Sequence, residues 1–427
     1  MTHAGRVPRL VRRSLGKGGS GPGAAIGVAI AGLLLCSASA GARQQPADRW
    51  VTAWGTSQNA LGMTAITNAT VRMIARVTIP GNAIRIRLDN TYGTAPLSIG
   101  SAHVGHSVQG AALAVGSNRP VSFSGSHSVT IPAGGSVVSD PVTIKVLAQT
   151  DVAVSLHVSG ASVRPSQHGG AQVTSYMSAN GTGDVGAEEG EKPFTATTTS
   201  MFWLKAIDVS SSTSPGAIVA FGDSITDGTC TTVDGHDRWE DVVAMRLALT
   251  DNGRGQHKAV VNEGIGGNTI TRANIQPPPD SAPGLERLDR DVLSHHGVTH
   301  VVLFMGTNDL RREAPAAQVI DGMQQIITRV KAKGLKIVGV TIIPRHNRPP
   351  ADNNTGWDDA KTKARNDVNQ WMRSKKPFHA LIDLDAVVRD PANADLMYPP
   401  FNCGDGIHPS PRGYFEMGKA VPLDLFR

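Results

Sequence analysis

The stretch AIVAFGDSITDGT, residues 217–229, decides how the second half of this 427-residue chain is read. Residues 217–221 form an apolar run without polar alternation, the composition of a strand buried on both faces. Gly222, Asp223 and Ser224 follow at once, so a hydroxyl arrives where the strand ends. Loops use Gly, Asp and Ser routinely, and Ser224 taken alone reads as a turn residue. The rest of the chain has to decide between a turn and a nucleophile.

Working outward, apolar runs recur at 259–261, 300–305, 335–343 and 380–384. Between them, 239–249, 285–293, 315–333 and 358–372 have the spacing of helices. Strand alternating with helix predicts a parallel sheet covered on both faces, with ligands bound outside the carboxyl ends of its strands. Those ends carry Gly222-Asp223-Ser224, then Asn262-Glu263-Gly264-Ile265-Gly266-Gly267-Asn268, then Gly306-Thr307-Asn308-Asp309. The last loop adds Asp405-Gly406-Ile407-His408. A hydroxyl, an imidazole, a carboxylate and a set of amide donors are the parts needed for acyl transfer. Ser224 is the candidate nucleophile and His408 its base, with Asp405 holding the other ring nitrogen. The N–H groups of Ser224 and Gly267 and the carboxamide of Asn308 are candidate oxyanion donors, each worth roughly 3–4 kcal/mol of barrier.

In order and separation these four blocks resemble those of the SGNH hydrolase (GDSL-like esterase/lipase) family. Ile225 stands where the family's nickname has leucine. The resemblance covers residues 216–427 and implies a three-layer α/β/α, flavodoxin-like parallel sheet. It also implies ester hydrolysis with no metal or organic cofactor, and assigns function to Ser224, Gly267, Asn308 and His408. A dinucleotide fingerprint at Gly264-Ile265-Gly266 is the rival, but its third glycine would fall at Thr269. Asp223 and Asp309 read as turn carboxylates rather than catalysts. His295, His296 and His300, without cysteines or acids at ligand spacing, read as surface histidines. Arg345, His346 and Arg348 follow the fourth strand, a place from which side chains can border the cleft, but no motif assigns them to the site.

Residues 43–209 have a different rhythm. Alternating segments at 71–77, 84–88, 136–146, 151–158 and 199–207 are separated by Gly, Ser, Pro and Asn clusters, which predicts an all-β sandwich or jelly roll. Residues 181–192 read as a polar loop and 210–215 as a linker to the hydrolase half.

At the other end, Arg6, Arg9, Arg12, Arg13 and Lys17 precede an apolar run over 24–35, followed by small residues with A-x-A spacing. That is the layout of a secretory signal peptide, residues 1–42. Arg12-Arg13 resembles a twin-arginine signal, and Cys36 falls within the discarded segment. A membrane anchor is the alternative, but the run is shorter than the ~18 residues that span a bilayer. The expectation is a secreted or periplasmic protein without stable membrane insertion. The formal charge of +6 falls close to neutral once those basic residues leave, and no basic stripe survives to engage nucleic acid.

Export leaves Cys230 and Cys403, which pair most simply as a disulfide, with two separate buried thiols as the alternative. So long a loop limits the entropic gain to about 5 kcal/mol. The bridge would join the loop after Ser224 to the loop carrying Asp405 and His408. The substrate is expected to be a small-molecule ester or an acylated polysaccharide. A polysaccharide O-acyltransferase or a carbohydrate-binding protein on the same scaffold is the alternative function.

Overall fold

The run at Ala217 becomes an inner strand of a five-stranded parallel sheet in the computed structural model, which describes residues 49–345 and 357–427. The export signal read at 1–42, together with His346 and Arg348, lies outside the described residues. The strands are β1 (Ala217–Gly222), β2 (Ala259–Gly264), β3 (Val298–Phe304), β4 (Lys336–Val340) and β5 (Ala380–Ile382). Their spatial order is β2-β1-β3-β4-β5. The chain steps to one side of β1 for β2 and to the other side for β3. A crevice opens at such a reversal, and the loops after β1 and β3 carry Ser224 and Asn308.

Because successive strand residues face opposite ways, the sheet feeds two separate cores. Val219, Phe221, Val261, Val301 and Leu303 pack with residues of α5 (Ala316–Ala332) and α6 (Asp359–Lys375). Ile218, Ala220, Val260, Val302 and Phe304 pack with α2 (Trp239–Thr250) and α8 (Pro411–Ala420). Between these lie α1 (Ser224–Asp227), α3 (Gly284–Leu288), α4 (Thr307–Arg311) and α7 (Leu384–Val388). In α5 the buried residues Val319, Met323, Ile326 and Val330 fall on one face at helical spacing. Asp358 and Ser410 cap α6 and α8, each accepting a backbone N–H of the first turn.

Most of the β-rich half lies in two antiparallel sheets that share one buried apolar cluster, beside a small third sheet of Met201–Phe202, Ser166–His168 and Ala60–Leu61. One has the order Arg49–Gly55, Leu204–Ser211, Gly81–Asp89, Val142–Val146. The other is centred on Ala69–Val77, Thr150–Val158 and Leu97–Gln109. Two expected strands are interrupted. Residues 136–146 divide into Ser136–Val138 and Val142–Val146, with Pro141, which lacks a ladder donor, in the gap. Residues 199–207 break at Trp203, whose φ of 58° turns the chain between Met201–Phe202 and Leu204–Ser211. The linker expected at 210–215 is tied down instead. Ser210 and Ser211 complete a strand, and the buried Ser214 hydroxyl donates to the His257 carbonyl at 2.9 Å.

Charge, as well as apolar surface, joins the β-rich half to the parallel sheet. Glu263 of β2 is fully buried, accepting the Ser57 hydroxyl and the Nε2–H of His295, each at 2.5 Å. Arg87 donates to Nδ1 of His295, which fixes that ring as the neutral Nε2–H tautomer. Asp208 accepts from Thr52 and pairs with Arg85, Arg87 and His296. Burial opposes its charge, yet His296, Arg87 and Thr52 hold its pKa well below the usual carboxylate range. Lys205 and Arg290 converge on the buried Asp291 at 2.8 and 2.7 Å. The surface reading of the histidines is corrected for His295 and His300, 7% and 1% exposed, because Arg87 and Glu263 enclose the first and Lys258 and Phe426 pack on the second. Among the described residues no helix is long and apolar enough to cross a membrane.

Candidate active site

Ser224 is the first residue of α1, at the mouth of β1. Asp223 caps that short helix by accepting the Ile225 N–H at 3.0 Å. Glycine is required at 222, since a Cβ there would lie 2.0 Å from Thr226 Oγ1 and 2.9 Å from the Phe304 carbonyl. The tight packing of strand end against helix presents the serine hydroxyl at the sheet edge, 7% exposed.

His408 arrives from the last loop. Its Nε2 lies 2.8 Å from Ser224 Oγ, and its Nδ1 lies 2.5 Å from Asp405 Oδ2. A carboxylate accepts, so Nδ1 carries the hydrogen and Nε2 is free to accept from the serine. The other oxygen of Asp405 accepts the N–H groups of Ile407 and His408, each at 2.8 Å. Partial burial pushes the Asp405 pKa up, but these bonds and the imidazole outweigh it and bring it down to about 2. Asp405 thus stays charged across the physiological range.

The other residues expected at the site come to the same edge. Asn308 lies in α4 and donates one amide hydrogen to the Asn268 carbonyl at 3.0 Å, leaving a second. Gly267 has a φ of 70°, which favours glycine. Neither the N–H of Ser224 nor that of Gly267 donates to another described residue. Asp309 braces this region by accepting the N–H groups of Ile270 and Thr271. Burial pushes its pKa up to about 6 against those bonds. Asp223 is pushed up to about 7, again chiefly by burial.

Beneath these loops lie residues that sequence reading missed. Arg287 of α3 is 1% exposed and donates to the carbonyls of Gly222 and Glu263, both at 2.9 Å, and to Asn268 Oδ1 at 3.0 Å. It also meets Ser57 Oγ and Asp291 and stacks on Phe221. Asp227 accepts the Gly266 N–H at 2.9 Å and faces His168 of the β-rich half. No motif marks them; in sequence Arg287 sits in the stretch 285–293, which reads only as a helix.

Cys230 and Cys403 are bonded, with Cα atoms 6.2 Å apart, joining the loop after α1 to the loop before Asp405. Cys230, Asp405 and His408 cluster closely enough to suit a metal ion, but this sulfur is already bonded to carbon and sulfur. Replacing both cysteines by serine is expected to lower stability by about 2–4 kcal/mol. It should also lower kcat, because the two triad-bearing loops lose their covalent tie. Urea unfolding of the two forms side by side checks this, and coincident curves would contradict it.

Residues 220–414 match the model of the GDSL-like Lipase/Acylhydrolase family. That segment is a GDSL-like lipase/acylhydrolase domain. No curated protein matches the chain. Solved structures similar to it include a carbohydrate acetylesterase from Sinorhizobium meliloti, 18% identical with a TM-score of 0.38. The native aryl esterase of M. smegmatis is 21% identical, also with a TM-score of 0.38. A member of the lipolytic G-D-S-L family from Veillonella parvula is 19% identical, with a TM-score of 0.35. These alignments cover 50%, 49% and 49% of this chain, and 97% of each of the other chains. The residues matched by the family begin within β1 and end in α8, and the β-rich half lies outside that match.

Proposed function

We propose that this protein is a secreted serine esterase that hydrolyses carboxylic esters through an acyl-enzyme on Ser224. The observation that carries the reading is the unbroken chain from Ser224 Oγ to His408 Nε2 and from His408 Nδ1 to Asp405. Ser224 Oγ attacks the ester carbonyl as His408 takes its proton, and Asp405 stabilises the imidazolium that forms. The negative oxygen is received by the N–H groups of Ser224 and Gly267 and by the spare amide hydrogen of Asn308. His408 then protonates the departing alkoxide. Water attacks the acyl-enzyme with His408 again as base, releasing the acid and restoring Ser224. No step calls on a metal or organic cofactor.

The fold reading that accompanies this is a three-layer α/β/α hydrolase over 216–427, preceded by a β-sandwich over 43–209. A small ester or an acylated polysaccharide is the proposed substrate class. The disulfide fits an oxidising compartment. The test is hydrolysis of p-nitrophenyl esters from acetyl to palmitoyl. Turnover of at least one is expected, and its chain-length preference separates an acetylesterase from a lipase. No turnover of any ester would contradict the reading.

A further inference from the structure

One buried carboxylate next to the nucleophile is held from the β-rich half. Asp227 ends α1, and one of its oxygens accepts the Gly266 N–H at 2.9 Å. The other lies 3.0 Å from Nε2 of His168, which belongs to the strand Ser166–His168 and is 2% exposed. Nδ1 of the same ring lies 2.7 Å from the Ser57 carbonyl. A carbonyl only accepts, so Nδ1 carries a hydrogen. With Asp227 ionised, both of its oxygens only accept, so Nε2 carries a hydrogen too.

We propose that His168, doubly protonated, is a positioning residue for ester hydrolysis: it fixes Asp227, Asp227 fixes the Gly266 amide, and the adjacent Gly267 N–H is thereby aimed at the oxyanion. This rests on the serine-esterase reading above. The charged side chains acting on His168 are Asp227 and Arg238, which precedes α2 and donates to the Asp227 carbonyl at 2.8 Å. The segment carrying Ser57 offers a backbone carbonyl. Burial disfavours the imidazolium and Arg238 adds to that, but the Asp227 charge and the hydrogen bonds outweigh both and raise the His168 pKa. Its folded value is raised, so the contact is complete below the ordinary histidine range and is lost as pH rises through the raised value. Above that point a lone pair faces a carboxylate and the glycine loop loosens. A general base must be neutral to act and limits activity on the acid side. His168 adds a separate limit on the alkaline side.

The experiment measures kcat and KM for p-nitrophenyl acetate across pH in wild type, His168→Ala and His168→Gln. The alanine variant is expected to lose up to about 100-fold in kcat with KM little changed, the scale of a displaced transition-state donor. The glutamine amide donates to Asp227 without titrating, so that variant should recover most of kcat and lose the alkaline limit. Wild-type kcat in folded His168→Ala, or an unchanged alkaline limit in His168→Gln, would overturn the proposal. If the variants do not fold, ¹⁵N-histidine NMR of the wild-type protein decides. Two protonated ring nitrogens on the buried histidine at neutral pH support the proposal, and one overturns it. A wild type that hydrolyses no ester refutes the parent reading instead, a result the NMR does not mimic.

Discussion

Ser224→Ala is expected to lower kcat on a p-nitrophenyl ester by a factor on the order of 10⁶, with folding intact. The hydroxyl is the only atom removed, at the first position of a short helix whose cap belongs to Asp223. Stability should therefore change little, and circular dichroism and urea unfolding should overlay those of wild type. His408→Ala should cost about as much, and the double variant no more than either single one, because nucleophile and base act as one unit. Asp405→Asn should lose about 10⁴-fold. Its amide would present an N–H to Nδ1 and favour the wrong tautomer of His408. A Ser224→Ala protein retaining a tenth or more of wild-type turnover would mean that another group attacks the ester.

Arg287→Met is expected to cost about 3–5 kcal/mol of folding stability, read from urea unfolding. Methionine fills similar space but donates nothing, leaving the carbonyls of Gly222 and Glu263 and the Asn268 side chain short of a buried donor. The two carbonyls lie at the ends of β1 and β2, directly before the nucleophile and the glycine loop, and Asn268 closes that loop, so kcat should fall as well. Arg287→Lys should recover only part of the loss. A compact ammonium cannot reach acceptors arranged around a planar fork. A change of less than about 1 kcal/mol in the methionine variant would show that water replaces the lost donors.

The parallel sheet and the convergence of the candidate site were legible for a specific reason. Strands in a parallel sheet all point the same way, so residues at their carboxyl ends meet whatever their separation in sequence. Gly222–Ser224, Asn262–Asn268 and Gly306–Asp309 each follow an apolar run, and the cysteine pair links the last block to the first. The strand Leu97–Gln109 was not legible. Its buried positions Leu97, Ile99, Ala102 and Val104 shift register partway and are interspersed with two glycines. The helix Pro411–Ala420 was hidden by the same kind of dilution. The charged layer between the halves was invisible for another reason. Periodicity reveals which positions face inward, but an arginine or histidine on such a face reads as solvated until its partner is known. Arg287 meets Ser57 from 230 positions away, and His168 meets Asp227 from 59. Only the folded chain brings such pairs together.

The most direct test of the serine-esterase reading is mass spectrometry of the protein after exposure to a fluorophosphonate, which bonds to a serine hydroxyl only when a neighbouring base activates it. The expected result is an adduct confined to the peptide carrying Ser224 and absent from His408→Ala. Labelling of a different serine, or continued ester hydrolysis with Ser224 unlabelled, would contradict it.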